Sequence, residues 1–246
     1  MRMALPEIGK AAERGNPSFV WRAGQERRMQ MIRDAAGERI HGKVFEVGVG
    51  LGQYLRRIQP EAELAVGLDV ELDRLQEANP GTDGNLLAVG EAIPVADDTF
   101  DLVLCNEVLE HVTDDRRTVE EMLRVLKPGG RMVVFVPNRG YPFETHGIYR
   151  KGVYRFGNKL FVNYLPRRWR DKLAPHVRIY ARRDMVTLFE GLGLKPINRT
   201  VIFGGYDNIV QRFGVLGKVF RAVLQFLEKT PLRIFGLSHL WVLEKE

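Results

Sequence analysis

Three glycines at alternate positions, Gly48, Gly50 and Gly52, close the short apolar run Val44-Phe45-Glu46-Val47. Glycine adopts positive φ freely and lets a ligand come close to the main chain, so such a loop between a strand and a helix can hold a nucleotide-like molecule. Glu46, two positions before the first glycine, narrows the choice: it repels a pyrophosphate and attracts a cationic amino group. A dinucleotide fingerprint G-x-G-x-x-G beginning at Gly48 would also need glycine at position 53, where the chain has Gln53. Asp69 ends a second apolar run, where a carboxylate can grip a diol or cap the next helix. Further on come Glu110 and His111, then Glu144 and His146, two residues apart. A carboxylate beside an imidazole most simply pins its loop, and can also work as a base, clamp a substrate, or supply two ligands to a metal. The metal carries the least weight and no metal is expected. His111 reads first as a structural histidine that holds its loop. Cys105, the single cysteine, reads as a small buried hydrophobe and excludes a disulfide framework.

These groups need strands and helices to hold them. Apolar runs predict strands at 43–47, 64–69, 85–90, 100–105 and 132–136. Helical spacing falls between them, at 17–37, 51–58, 71–78 and 116–126, the last stopped by Lys127-Pro128-Gly129-Gly130. Strands alternating with helices imply a parallel sheet covered on both faces. After Pro137 the pattern changes. Residues 138–180 are aromatic, basic and proline-punctuated without a clean period, and read as an insertion. A helix at 183–191, a strand at 195–204, an amphipathic helix at 208–228 and a closing strand at 238–243 complete the chain. The expected organisation is one domain over 1–246. It comprises a helical cap (1–40), a cofactor-binding core (41–138), a basic and aromatic insertion (139–181) and a C-terminal part (182–246) carrying the inserted helix.

From Val44 to Asn138 the chain resembles the class I S-adenosylmethionine-dependent methyltransferases, in particular the ubiquinone and menaquinone biosynthesis type. The resemblance rests on five ordered motifs. They are Glu46-x-Gly48-x-Gly50-x-Gly52; Gly67-Leu68-Asp69; Gly90-Glu91-Ala92-Ile93-Pro94; Phe100-Asp101-Leu102-Val103 through Glu110-His111-Val112; and Arg124-Val125-Leu126-Lys127-Pro128-Gly129-Gly130. It implies an α/β, doubly wound, seven-stranded, mainly parallel Rossmann-like sheet and S-adenosyl-L-methionine as cofactor. It also implies that Asp69 holds the ribose hydroxyls and that Glu91, where the family usually has aspartate, contacts the adenine amino group. Val70, Ala92 and Ile93 would flank the ring, and Asn106 would line the sulfonium side. A sulfonium methyl is already activated, so the enzyme chiefly aligns the nucleophile in line with it.

The acceptor is read from the rest of the chain. With 37 basic and 31 acidic residues the net charge is +6. Residues 145–185 hold eleven basic and two acidic residues, a local +9 that leaves −3 elsewhere. Tyr154, Phe156, Phe161, Tyr164 and Trp169 are interleaved with those charges. Such a stretch can be a solvated charged face, but rings among cations also suit an anionic substrate or membrane surface; nucleic acid ranks below these, because no RNA-binding module is visible. The favoured acceptor is a small or lipid-linked molecule, acidic in character, methylated on oxygen, with His146, Glu144 and His111 as the candidate catalytic residues. C-methylation of a quinone-type ring follows closely, then RNA methylation. A silent scaffold that keeps the fold is the non-enzyme alternative. There is no run of about 18 apolar residues and no apolar leader at the N-terminus, so the cytoplasm is expected, with peripheral membrane contact through the insertion.

Overall fold

The computed structural model describes residues 20–246; positions 17–19 of the first predicted helix, and the part of the cap before them, lie outside the described residues. Seven strands form one sheet: β1 (Lys43–Val47), β2 (Leu64–Asp69), β3 (Gly84–Leu87), β4 (Phe100–Asn106), β5 (Leu126–Pro137), β10 (Leu194–Ile202) and β11 (Ser238–Lys245). Their order is β10-β11-β5-β4-β1-β2-β3. The pairs from β3 to β5 are parallel, and β11 enters antiparallel to both β5 and β10. The sheet is thus the mainly parallel, doubly wound arrangement expected.

Alternation along the central strands divides the core between two faces. Leu102 and Leu104 of β4 point toward α1 (Ala23–Ala36), α2 (Leu55–Ile58) and α3 (Leu72–Ala78), where Met29, Ile32, Ile58 and Leu75 are buried. Val103 and Cys105 point the other way, toward Val119 and Met122 of α4 (Asp115–Val125) and Met185 of α6 (Arg182–Phe189). Strands buried on both sides read as unbroken apolar runs, which is why they are visible in the sequence. The crossing at β1, where the chain winds one way to β2 and the other to β4, places the carboxyl ends of all three strands around one crevice.

Several boundaries differ from expectation. The second helix shrinks to Leu55–Ile58, because the positive φ of Gly52 delays the first helical turn. α4 stops at Val125, and Lys127-Pro128-Gly129-Gly130 is already extended within β5, with a break in pairing between Phe100 and Leu102 that absorbs it. The insertion is not irregular throughout. Two short ribbons, β6 (Phe143–Glu144) with β9 (Lys159–Leu160) and β7 (Ile148–Arg150) with β8 (Val153–Arg155), precede α5 (Arg167–Leu173). The long amphipathic helix, α7 (Asp207–Leu227), is broken at Gly214, whose φ of 55° and ψ of −121° are not helical. Beyond the kink a Cβ on Gly217 would lie 2.6 Å from the Ile209 carbonyl, so only glycine lets the two halves pack so closely. No helix among the described residues is long and apolar enough to cross a membrane.

Candidate functional site

The glycine loop is held open from beneath. Gly48 N–H and Val49 N–H both donate to the Leu68 carbonyl, at 2.7 and 2.9 Å, which ties the loop to the end of β2. Gly48, Gly50 and Gly52 all have positive φ. A Cβ on Gly48 would sit 2.3 Å from Val108, whereas one on Gly50 would meet nothing within 4 Å. The first glycine therefore permits packing of the segment after β4, and the second faces free space.

Asp69 braces this loop. Its Oδ2 accepts from Gly50 N–H at 2.9 Å and its Oδ1 from Glu71 N–H at 3.0 Å. Glu46 lies behind it, 2% exposed, with Oε2 buried and without a hydrogen-bond partner. Burial, reinforced by the charge of Asp69 and only partly opposed by the Leu55 N–H, pushes its carboxyl up to about 8. Such a carboxyl is neutral at pH 7 until a cation is set against it. An orphaned buried oxygen beside an open glycine loop fits a ligand bearing an ammonium group.

Asn106, at the end of β4, is not a free amide. Its Oδ1 accepts from Arg28 of α1 at 2.5 Å, and Arg28 also reaches Glu107 at 3.0 Å and the Ser238 hydroxyl at 3.2 Å. α1 is thereby fastened across the crevice mouth. A cleft of about 320 Å³ opens there, lined by Gln25, Arg28, Tyr54, Phe203 and Asp207 among others. The other expected contacts spread out. Val70 is 42% exposed next to Asp69, and Ala92 is exposed. Glu91 Oε1 accepts from Thr113 and Asp114 N–H at 2.8 and 3.1 Å, linking the segments that follow β3 and β4. Ile93, expected as a ring wall, is instead 3% exposed and packed in the core near Phe100 and Met122, with its N–H donating to Glu121.

A second cluster lies beside the crevice. Glu144 is fully buried and accepts from Arg170 at 2.6 Å, from His146 N–H at 2.9 Å and from His146 Nδ1 at 3.2 Å. Burial alone would raise its carboxyl, but these hydrogen bonds and the Arg170 charge hold it at about 2. The expectation that Glu144 serves as a base is corrected: a carboxylate so held and so buried orients His146 and does not take a proton. The His146 ring meets that of His111 edge-on, with centroids 5.3 Å apart. Burial and the neighbouring His146 charge lower His111 to about 4, so it is neutral at pH 7 and a weak base. Glu110 is 1% exposed, and its oxygens meet no N–H or cationic donor; what it faces is the Glu107 carboxyl, with which it pairs only while one of the two keeps a proton. Burial and the facing Glu107 push its carboxyl well up. Glu107 itself has φ of 56°, unusual for a side-chain-bearing residue, and is fixed by Arg28 and by Ser238 at 2.6 Å.

Arg28, Tyr54 and Glu107 were missed in the sequence. A signal existed for Glu107: two glutamates three apart, followed at once by histidine, directly after a strand. The others come from distant helices and loops and carry no local signature.

The strand order, the glycine loop after β1 and the acid ending β2 define a class I methyltransferase, a class that uses S-adenosylmethionine as methyl donor. Residues 45–134 match the family described as "Methyltransferase domain". The ubiquinone/menaquinone biosynthesis C-methyltransferase of Haemophilus ducreyi is 37% identical over 185 residues, an alignment covering 67% of this chain and 69% of that protein. The chain belongs to the S-adenosylmethionine-dependent methyltransferases and is an enzyme of that kind. Solved structures share the fold: an S-adenosylmethionine-dependent methyltransferase from Mesorhizobium loti (18% identical, covering 88% of this chain and 96% of that one, TM-score 0.62) and the YcgJ protein from Bacillus subtilis (17% identical, 90% and 99%, TM-score 0.58).

Proposed function

We propose that this enzyme methylates a hydroxyl group of an apolar, lipid-linked acceptor presented at an anionic membrane surface. The observation that carries this reading is the bare apolar face of α7. Val215 and Leu216 are 74% and 75% exposed, and Phe213, Val219, Val223 and Phe226 are each more than half exposed. Leu232, Ile234 and Phe235 extend that face, and α7 begins at the crevice mouth, where Asp207 accepts from Gly24 of α1. A patch of this size marks an interface rather than ordinary surface.

Bound S-adenosylmethionine supplies a methyl already activated on a sulfonium. In this reading Glu46 takes the cofactor's amino group, Asp69 its diol, and Gly50 its closest backbone approach. Val70 and Ala92 flank the ring, with Glu91 behind them, and Asn106, held by Arg28, borders the reacting side. The cluster of Glu110, His111 and His146 faces the acceptor, and Glu144 keeps the His146 ring aimed. C-methylation of a quinone-type ring is the second reading, favoured by the activity named for the Haemophilus relative.

Transfer of labelled methyl from S-adenosylmethionine into a cell lysate, followed by separation of lipid, aqueous and nucleic-acid fractions, tests the proposal. Label in the lipid fraction, released as a methyl ether, supports it. Label only in aqueous or RNA fractions overturns the lipid acceptor, and no label with intact cofactor binding points to the silent scaffold.

A further inference from the structure

Glu110 poses a physical problem that the methyltransferase fold alone does not answer. A buried carboxylate normally has donors, because leaving it without them is costly. Here neither oxygen accepts from an N–H or a cationic donor, at 1% exposure, and the group it faces is another carboxylate, Glu107, with which it can share only a proton. His111 Nδ1 is likewise buried without a partner. His146 turns Nδ1 toward Glu144, which leaves Nε2 free to face the other way. One donor atom each from Glu110, His111 and His146 falls within 4.8 Å of the other two.

We propose that Glu110, His111 and His146 bind a divalent transition-metal ion that activates the acceptor hydroxyl. This rests on the hydroxyl-methylating reading above and supplies its means of deprotonation. Two imidazoles with one carboxylate suit Zn²⁺, Fe²⁺, Mn²⁺ or Co²⁺, whereas Mg²⁺ and Ca²⁺ prefer oxygen-only sets. Bonds of about 2.0–2.2 Å bring such donors to roughly 3–3.5 Å from one another. From separations of up to 4.8 Å the donor atoms must therefore draw together by at most about 1–2 Å as the ion binds.

The surroundings are those of a metal site. Ligating histidines usually give their other ring N–H to a carboxylate that is itself held. His146 does this to Glu144 at 3.2 Å, and Glu144 is locked by Arg170 at 2.6 Å. Three protein ligands leave coordination positions open for substrate. The segment carrying Glu110 and His111 also bears Val108, which packs on Gly48, so the site adjoins the cofactor loop.

The chemistry balances without another reagent. A coordinated hydroxyl loses its proton to solvent at lower pH than a free one. Its oxygen then forms the new O–CH₃ bond as the CH₃–S⁺ bond breaks, and that electron pair returns to sulfur. A methyl ether, a neutral thioether and one proton leave.

The test uses the purified full chain, stripped with chelator and titrated with Co²⁺, whose visible absorption reports the ligand field. About one equivalent should bind per chain and be displaced by Zn²⁺. His146→Ala and Glu110→Gln should each weaken Co²⁺ binding at least about a hundredfold, and Glu144→Gln about tenfold to a hundredfold. Circular dichroism checks that each variant is folded; if Glu110→Gln is not, His111→Ala takes its place. The absence of a stoichiometric Co²⁺ spectrum, or an unchanged spectrum in folded His146→Ala, overturns the site. Methyl transfer that continues at full rate after chelation overturns the metal and leaves the methyltransferase reading standing. Stoichiometric Co²⁺ with label found only on carbon overturns hydroxyl activation and leaves the ion site.

Discussion

Glu46 and Asp69, the two acids proposed above to hold the cofactor, differ in their surroundings. Asp69 has two backbone N–H donors, whereas Glu46 is buried with an oxygen that has none. With its carboxyl near 8, Glu46 holds a proton that the unfolded chain, near 4.5, has lost. Between those values the native state binds more protons, so stability falls as pH rises, by up to about 1.4 kcal/mol per pH unit. Urea unfolding at a series of pH values should show this slope, and Glu46→Gln should flatten it. An ammonium placed beside Glu46 favours the carboxylate, so cofactor binding at pH 7 should release a proton. Calorimetry in buffers of different ionisation enthalpy measures that release, which Glu46→Gln should abolish. Asp69→Ala should raise the cofactor Kd at least about tenfold, equivalent to about 1.4 kcal/mol. The Glu144–Arg170 pair behaves differently. Glu144→Ala strands a guanidinium that is 2% exposed and should lower unfolding free energy by about 3–5 kcal/mol.

At the scale of elements, visibility in the sequence followed burial. β1, β2 and β4 are buried in the sheet centre and could be read directly, and the glycine loop and Asp69 came with them because each ends such a strand. β6 to β9 are two or three residues long, too short to show a period, and the ribbons they make depend on pairing partners up to 17 positions apart. The cluster around His146 could be read only in parts, since Glu110, Glu144 and Arg170 are brought together by tertiary packing. α7 was visible as an amphipathic helix, but its kink was not, because a glycine within a helical period gives no sign of its φ. Its apolar face leads to a prediction. Leu216→Ser, Val219→Ser and Val223→Ser replace side chains that are 75%, 55% and 52% exposed. Each should change unfolding free energy by no more than about 0.5 kcal/mol. The triple variant should retain cofactor affinity in calorimetry and lose cosedimentation with anionic vesicles.

Over the whole molecule, the basic charge is gathered in one stretch of the chain. The stretch 145–185 carries +9 while the rest carries −3. Part of that excess is internal, since Arg170 is committed to Glu144 and Arg167 pairs with Asp184. Arg150, Lys151, Arg155, Arg168, Lys172, Arg182 and Arg183 remain exposed, close in sequence to the exposed rings of Phe156, Phe161 and Trp169. Basic residues near an anionic surface contribute about 1 kcal/mol each, over a range set by a Debye length of about 10 Å at 0.1 M salt. Membrane attachment through this stretch should therefore weaken steeply with salt, while the apolar contribution of α7 should not. Cosedimentation with anionic vesicles should fall at least tenfold in partition between about 0.05 and 0.5 M salt, with weak, salt-insensitive binding to neutral vesicles persisting. Cofactor affinity should change little over the same range, because Glu46 is buried and screened pairs are those in solvent. If salt left vesicle binding unchanged, the basic stretch would be a solvated surface and α7 alone would hold the enzyme to its acceptor.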